Sequence, residues 1–142
     1  MFLGEYQHSL DAKGRVILPA RFREQLEGGA VMARGLDGCL AVYPPSEFQR
    51  VAQKLTEARE RGPKERQAAL TFFSGAEPMV PDRQGRVTIP QSLRDYAGLD
   101  REVIVAGGFD HITIWDAQRF RARLAEGMRA MAEGAEDVGD FI

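Results

Sequence analysis

Two carboxylate–guanidinium pairs occur at one spacing in this 142-residue chain: Asp11 with Arg15, and Asp82 with Arg86. They sit in the short stretches DAKGR and DRQGR. An aspartate at the first position of a tight turn accepts backbone N–H bonds, and an arginine four residues on can fold back to meet it. Gly14 and Gly85 precede the two arginines and suit the left-handed backbone that closes such a turn. A guanidinium held this way offers fixed donors to a phosphate or to the acceptor edge of guanine. Lys13 and Arg83 lie at the turn tips and add local positive charge. The same residues also admit a structural reading, as hairpin-stabilising ion pairs, which contribute weakly on exposed surfaces. Spacing by itself leaves both readings open.

Other chemistry lacks its constellation. His8, His111 and Cys39 are scattered, without Cys-x-x-Cys or His-Glu-x-x-His spacing, so no metal site is expected. Ser9 beside His8 is adjacency rather than a nucleophile–base geometry, and no Gly-x-Ser-x-Gly elbow occurs. Gly28-Gly29 and Gly107-Gly108 read as turns, not as a phosphate cradle. The expectation is a non-enzyme with no cofactor and no small-molecule substrate. A small enzyme on a β-barrel-like scaffold has no residues here to support it.

At 44% hydrophobic and 28% charged residues, the composition is that of a folded chain. A net charge of −2 speaks mildly against nucleic acid, but its distribution softens that. Glu126, Glu133, Glu136, Asp137 and Asp140 crowd the last stretch against Arg129, which leaves the preceding residues with a small positive excess. All but three of the 19 basic residues (Lys13, Lys54, Lys64) are arginine, the side chain suited to bidentate contact. Asparagine is absent, so base reading would fall to arginine, to Gln84 or to DNA shape. A lone cysteine excludes an internal disulfide and fits a reducing compartment. No apolar run approaches the ~20 residues of a membrane helix, and the start of the chain lacks a leader's basic-then-apolar pattern, so a cytoplasmic protein is expected.

The elements that must position these pairs are themselves duplicated. DAKGRVILPARFR at 11–23 aligns without gaps on DRQGRVTIPQSLR at 82–94, with conservative exchanges at Leu18/Ile89 and Phe22/Leu93. Around each copy the pattern predicts one order: strand, Asp-turn, return strand, short helix opened by Pro19 or Pro90, hairpin, helix. In the first unit the strands are 5–10, 15–18, 30–33 and 39–43. In the second they are 76–80, 86–89, 101–106 and 111–115. Ser46 and Gln49 have capping-box spacing for the helix after Pro44-Pro45, and Asp116 can cap the last one. Residues 57–65 read as a charged linker broken at Gly62-Pro63, with a connecting helix over 64–73. The resulting division is 1–56, first half; 57–75, linker and connecting helix; 76–125, second half; 126–142, acidic tail. Units of this size bury too little surface to stand alone, so the two must share a core. The apolar stripes Phe48/Leu55 and Phe120/Leu124, with Phe72-Phe73, are candidates for that core or for an interface.

The doubled Asp-x-x-Gly-Arg-Val-x-x-Pro motif resembles the AbrB-type swapped-hairpin DNA-binding domain. A chain carrying it twice is similar to the MraZ family of bacterial transcriptional regulators, and the resemblance runs from Met1 through the helix after Trp115. It implies an α+β fold of two pseudo-symmetric swapped-hairpin units packed as one compact double-ψ-like β core with peripheral helices. It further implies a cytoplasmic, nucleoid-associated regulator that forms ring-like homo-oligomers. Such a protein would bind repeated DNA sites upstream of its own cell-division and cell-wall operon through Arg15 and Arg86, with Asp11 and Asp82 holding the turns. Arg21, Arg23 and Arg94 on the short helices are weaker candidates for phosphate contact. The rival is an antitoxin-like module that uses the same turns, and the acidic tail, on a protein partner.

Overall fold

A computed structural model describes residues 1–134 and 140–142; of the acidic tail, Glu136 and Asp137 lie outside the described residues. The strands are β1 (Glu5–Ser9), β2 (Arg15–Ile17), β3 (Ala30–Arg34), β4 (Leu40–Tyr43), β5 (Glu77–Met79), β6 (Arg86–Thr88), β7 (Glu102–Gly107) and β8 (Ile112–Asp116). The helices are α1 (Ala20–Arg23), α2 (Pro45–Ala58), α3 (Pro63–Ser74), α4 (Gln91–Ala97) and α5 (Ala117–Ala132). The fold is α+β, with every ladder antiparallel. Among the described residues no helix is long and apolar enough to cross a membrane.

The strands form a six-stranded sheet, ordered β1-β7-β8-β4-β3-β5, and a separate two-stranded ribbon, β2-β6. Exchanging the halves (β1 with β5, β3 with β7, β4 with β8) reverses the sheet order onto itself. The duplication is thus a pseudo-twofold axis, passing near Ala41↔Thr113 in the sheet and Val16↔Val87 in the ribbon. Three kinds of ladder cross between the halves: β1 with β7 and its counterpart β5 with β3, β4 with β8, and β2 with β6.

This corrects one expectation. The strands flanking each Asp-turn do not pair with each other as hairpin arms, because β1 pairs with β7 and β2 pairs with β6. Three-residue strands such as β2 and β6 gain little as a local hairpin, whereas pairing across the axis seats Val16 and Val87 in the joint core. The hairpins β3-β4 and β7-β8 form as the pattern predicts.

The core draws on equivalent positions of both halves: Val16 and Val87, Leu18 and Ile89, Phe22 and Leu93, Leu26 and Ala97 are all buried. Hence the conservative exchanges within the repeat are core exchanges. Leu18 N–H donates to Gly85 O, and Ile89 N–H donates to Gly14 O, both at 2.9 Å, so each turn is tied to the strand end of the other half.

Two helix ends differ from the pattern. α2 starts at Pro45 with Pro44 as its cap and no side-chain cap bond, so the Ser46–Gln49 box does not form. Proline already has the φ of a first helical residue and pulls the start ahead of Ser46. The charged stretch read as a linker is helical: α2 runs to Ala58, a 3-10 turn covers Arg59–Arg61, and Gly62 alone interrupts before α3. Phe48 of α2 stacks on Phe72 of α3 at 5.8 Å between ring centroids, and Tyr43 packs edge-on against Phe72. Asp116 caps α5 as expected, accepting from Arg119 N–H at 3.1 Å.

Candidate nucleic-acid interface

The two Asp-turns are built almost identically. Asp11 Oδ1 accepts from Lys13 N–H at 2.9 Å and Arg15 N–H at 2.8 Å, while Oδ2 accepts from Arg15 Nε at 2.7 Å. Asp82 Oδ1 accepts from Gln84 and Arg86 N–H, both at 2.9 Å, and Oδ2 accepts from Arg86 Nε at 2.8 Å. Backbone bonds from Gly14 to Asp11 O and from Asp11 to Arg15 O close the first turn, and the second repeats them. Gly14 and Gly85 take φ of 73° and 79°, as a turn of this type requires. The backbone N–H of the arginine is the chief reason each carboxyl is held below the usual aspartate range; burial opposes it and the guanidinium reinforces it.

Alternation along the ribbon decides which way the arginines face. Val16 and Val87 point inward, so Arg15, Ile17, Arg86 and Thr88 share the outer face. Arg15 lies opposite Thr88 and Arg86 opposite Ile17, which offsets the two arginines by two residues, about 7 Å along the strands. Their side chains are 27% and 28% exposed, held at the surface rather than sealed in the core. Nε of each is used by its own aspartate. The Nη ends have no protein partner among the described residues.

Each turn is also braced by an arginine from the opposite half. The Arg94 guanidinium lies against Gly14 where a β-carbon would sit, and its Nη1 donates to Ile89 O at 2.8 Å. Arg23 lies against Gly85 in the same way, with a longer 3.4 Å bond from Nη1 to Gln84 O and a buried Nε without a partner. Arg23 and Arg94 end the two copies of the repeat, and that shared final arginine was the signal that could have marked them as braces. Arg21 is exposed on α1. The structure therefore brings Arg15, Arg86, Asp11, Asp82, Gly14 and Gly85 into one symmetric unit.

Lys13 and Arg83 are both exposed at the tips but stand at non-equivalent positions, Lys13 matching Gln84 and Arg83 matching Ala12. Arg83 borders a cleft that also contains Glu24 and Glu27, so the second tip is less positive than its own side chain implies. Arg119 is a further internal staple, donating to Asp37 O at 2.8 Å, Gly38 O at 3.1 Å and Ala97 O at 3.2 Å.

Among the described residues no three His, Cys, Asp or Glu side chains cluster as metal ligands. Burial pushes the Cys39 thiol up to about 11, which keeps it protonated at neutral pH. Trp115 packs edge-on against Phe120, and Tyr43 packs against Phe48, Phe72 and His111, so both rings contribute to aromatic packing within the fold.

Fold and site define a class: a single chain in which two repeated units share one core and present one outward ribbon, each strand led by an aspartate-tethered arginine. The chain belongs to the MraZ family, whose model, described as "MraZ protein, putative antitoxin-like", matches residues 1–70 and 72–140. It is 48% identical to the transcriptional regulator MraZ of Parafrankia sp. (strain EAN1pec) over 138 residues, 97% of this chain and 96% of that protein. It is 46% identical, over the same shares, to the proteins of that name from Frankia alni and from Clavibacter michiganensis subsp. michiganensis.

Proposed function

We propose that this protein is a sequence-specific DNA-binding regulator of transcription that lays the outer face of the β2-β6 ribbon in the major groove. Relatives named transcriptional regulator, similar over nearly their whole length, support a role in regulating transcription. The observation that carries the DNA contact is the paired tether: two guanidiniums share the outer face of one ribbon, each oriented through Nε, with Nη ends that have no protein partner among the described residues. The major groove admits a two-stranded ribbon, and an oriented guanidinium matches N7 and O6 of guanine or a phosphate. Prior ordering by aspartate lowers the rotamer entropy given up on binding. Lys13 and Arg83 add backbone phosphate contacts at the tips.

One chain neutralises few phosphates, too few for tight binding at physiological salt. Assembly of several copies, as a ring, sets their ribbons along repeated sites and multiplies affinity through effective concentration. The sites lie upstream of the protein's own cell-division and cell-wall operon, and the protein works in the cytoplasm on the nucleoid. Gel shifts test this with the duplex upstream of its own coding sequence against an unrelated duplex of equal length. Preferential retardation by the wild type, abolished in Arg15→Ala and Arg86→Ala variants of unchanged thermal stability, supports the reading. Equal retardation by all three proteins contradicts it. A blank gel shift with a stoichiometric protein partner recovered in a pull-down favours the antitoxin-like rival.

A further inference from the structure

The pseudo-twofold axis relates the outer-face positions of the ribbon in pairs: Arg15 to Arg86, and Ile17 to Thr88. The first pair is identical and the second is not. Ile17 is 46% exposed, a branched hydrocarbon standing between two guanidiniums on a face where its neighbours are polar. It lies directly across the ladder from Arg86, as Thr88 lies across from Arg15. Each cross-strand pair therefore combines one guanidinium with one methyl-bearing side chain, but only the first half offers an entirely apolar one.

Resting on the DNA reading above, we infer that Ile17 is a specificity-determining residue that contacts the C5-methyl group of thymine, and that it makes the two halves read different base pairs. The physical ground is complementarity within one groove face. The major groove displays polar acceptors and donors from each pair, and thymine adds its single apolar feature, the methyl group. An arginine set on a guanine edge holds the cross-strand neighbour over the next base pairs, where an apolar side chain gains only against that methyl. Thr88 supplies one methyl and a hydroxyl at the equivalent place, so the second half tolerates a polar edge that Ile17 would leave unpaired. A chain symmetric in its arginines is in this way given a direction along the duplex.

The test uses the full-length protein and the duplex upstream of its own coding sequence, prepared with thymine or with deoxyuridine, which lacks only the methyl. Affinities are compared at one salt concentration for the wild type, Ile17→Ala and Ile17→Thr. Ile17→Thr copies the residue that the second half already carries on its strand and covers the case in which alanine disturbs strand pairing. The wild type is expected to bind the uracil duplex about four-fold more weakly for each methyl contacted, the worth of one buried methyl group. That ratio falls to near one in Ile17→Ala and to an intermediate value in Ile17→Thr. Restricting the exchange to one half of every repeated site should give most of the effect from one side only. A wild-type ratio of one, or a ratio retained in Ile17→Ala, overturns the inference while leaving the DNA reading intact. No salt-dependent binding of the thymine duplex by the wild type overturns both.

Discussion

Arg94 and Gly14 belong to opposite halves, yet the guanidinium of one fills the space that a β-carbon on the other would need. A turn that carries a candidate DNA-binding arginine is thereby shaped by its partner repeat. Gly14→Ala meets two obstacles, a φ of 73° and the Arg94 side chain, and should destabilise the protein by about 1–3 kcal/mol. Arg94→Ala removes the second obstacle only. Denaturant unfolding of the two single variants and the double should therefore be non-additive, with the double costing less than the sum. Strict additivity would mean that the two residues do not share space.

The acid limb of stability gives a second expectation. Backbone and side-chain donors hold Asp11 and Asp82 below the usual aspartate range in the folded state. A lowered folded pKa stabilises above the unfolded value, about pH 4, and that stabilisation disappears as pH falls through the folded pKa. The stability difference between wild type and an Asp11→Asn, Asp82→Asn double variant should be constant from pH 7 to about 5 and shrink below about 4. Thermal unfolding over a pH series reads it; a difference that persists undiminished into strong acid would contradict the tether.

A core substitution should behave differently from a ribbon substitution. Leu18 and its counterpart Ile89 are fully buried, and each follows a strand of the ribbon. Leu18→Ala should cost about 2–5 kcal/mol and weaken DNA binding only as the folded population falls. Denaturant unfolding beside binding at a stabilising temperature separates the two effects. Loss of binding with stability intact would place Leu18 at the DNA-facing surface instead.

Much of this was legible because the chain repeats itself. The Asp-turn chemistry followed from residue types alone: an aspartate ahead of a glycine accepts the N–H bonds expected of it. Hairpins closed by Gly35–Gly38 and Gly107–Asp110 were visible for the same local reason. The partner of β1 was not legible, since alternation in a five-residue strand says which face is buried but not which edge it joins. The repeat marked Arg23 and Arg94 as equivalent, but not which turn each braces, because a long side chain reaching across the axis leaves no local pattern at its target glycine. The cap of α2 failed because proline geometry outweighs a serine three residues before a glutamine.

The central claim is that Arg15 and Arg86 turn outward to meet a polyanion. It is tested most directly by the salt dependence of affinity for the upstream duplex, measured for the wild type, the two single alanine variants and the double. Phosphate contacts give a steep wild-type slope of log affinity against log salt, whereas a guanidinium on a base edge lowers affinity when removed and leaves the slope unchanged. The slope should become shallower by about one for each phosphate that an arginine no longer neutralises in the bound assembly, with affinity falling at every salt concentration. Equal slopes and affinities for all four proteins, at equal thermal stability, would contradict the claim and leave the Asp–Arg pairs as turn-stabilising ion pairs.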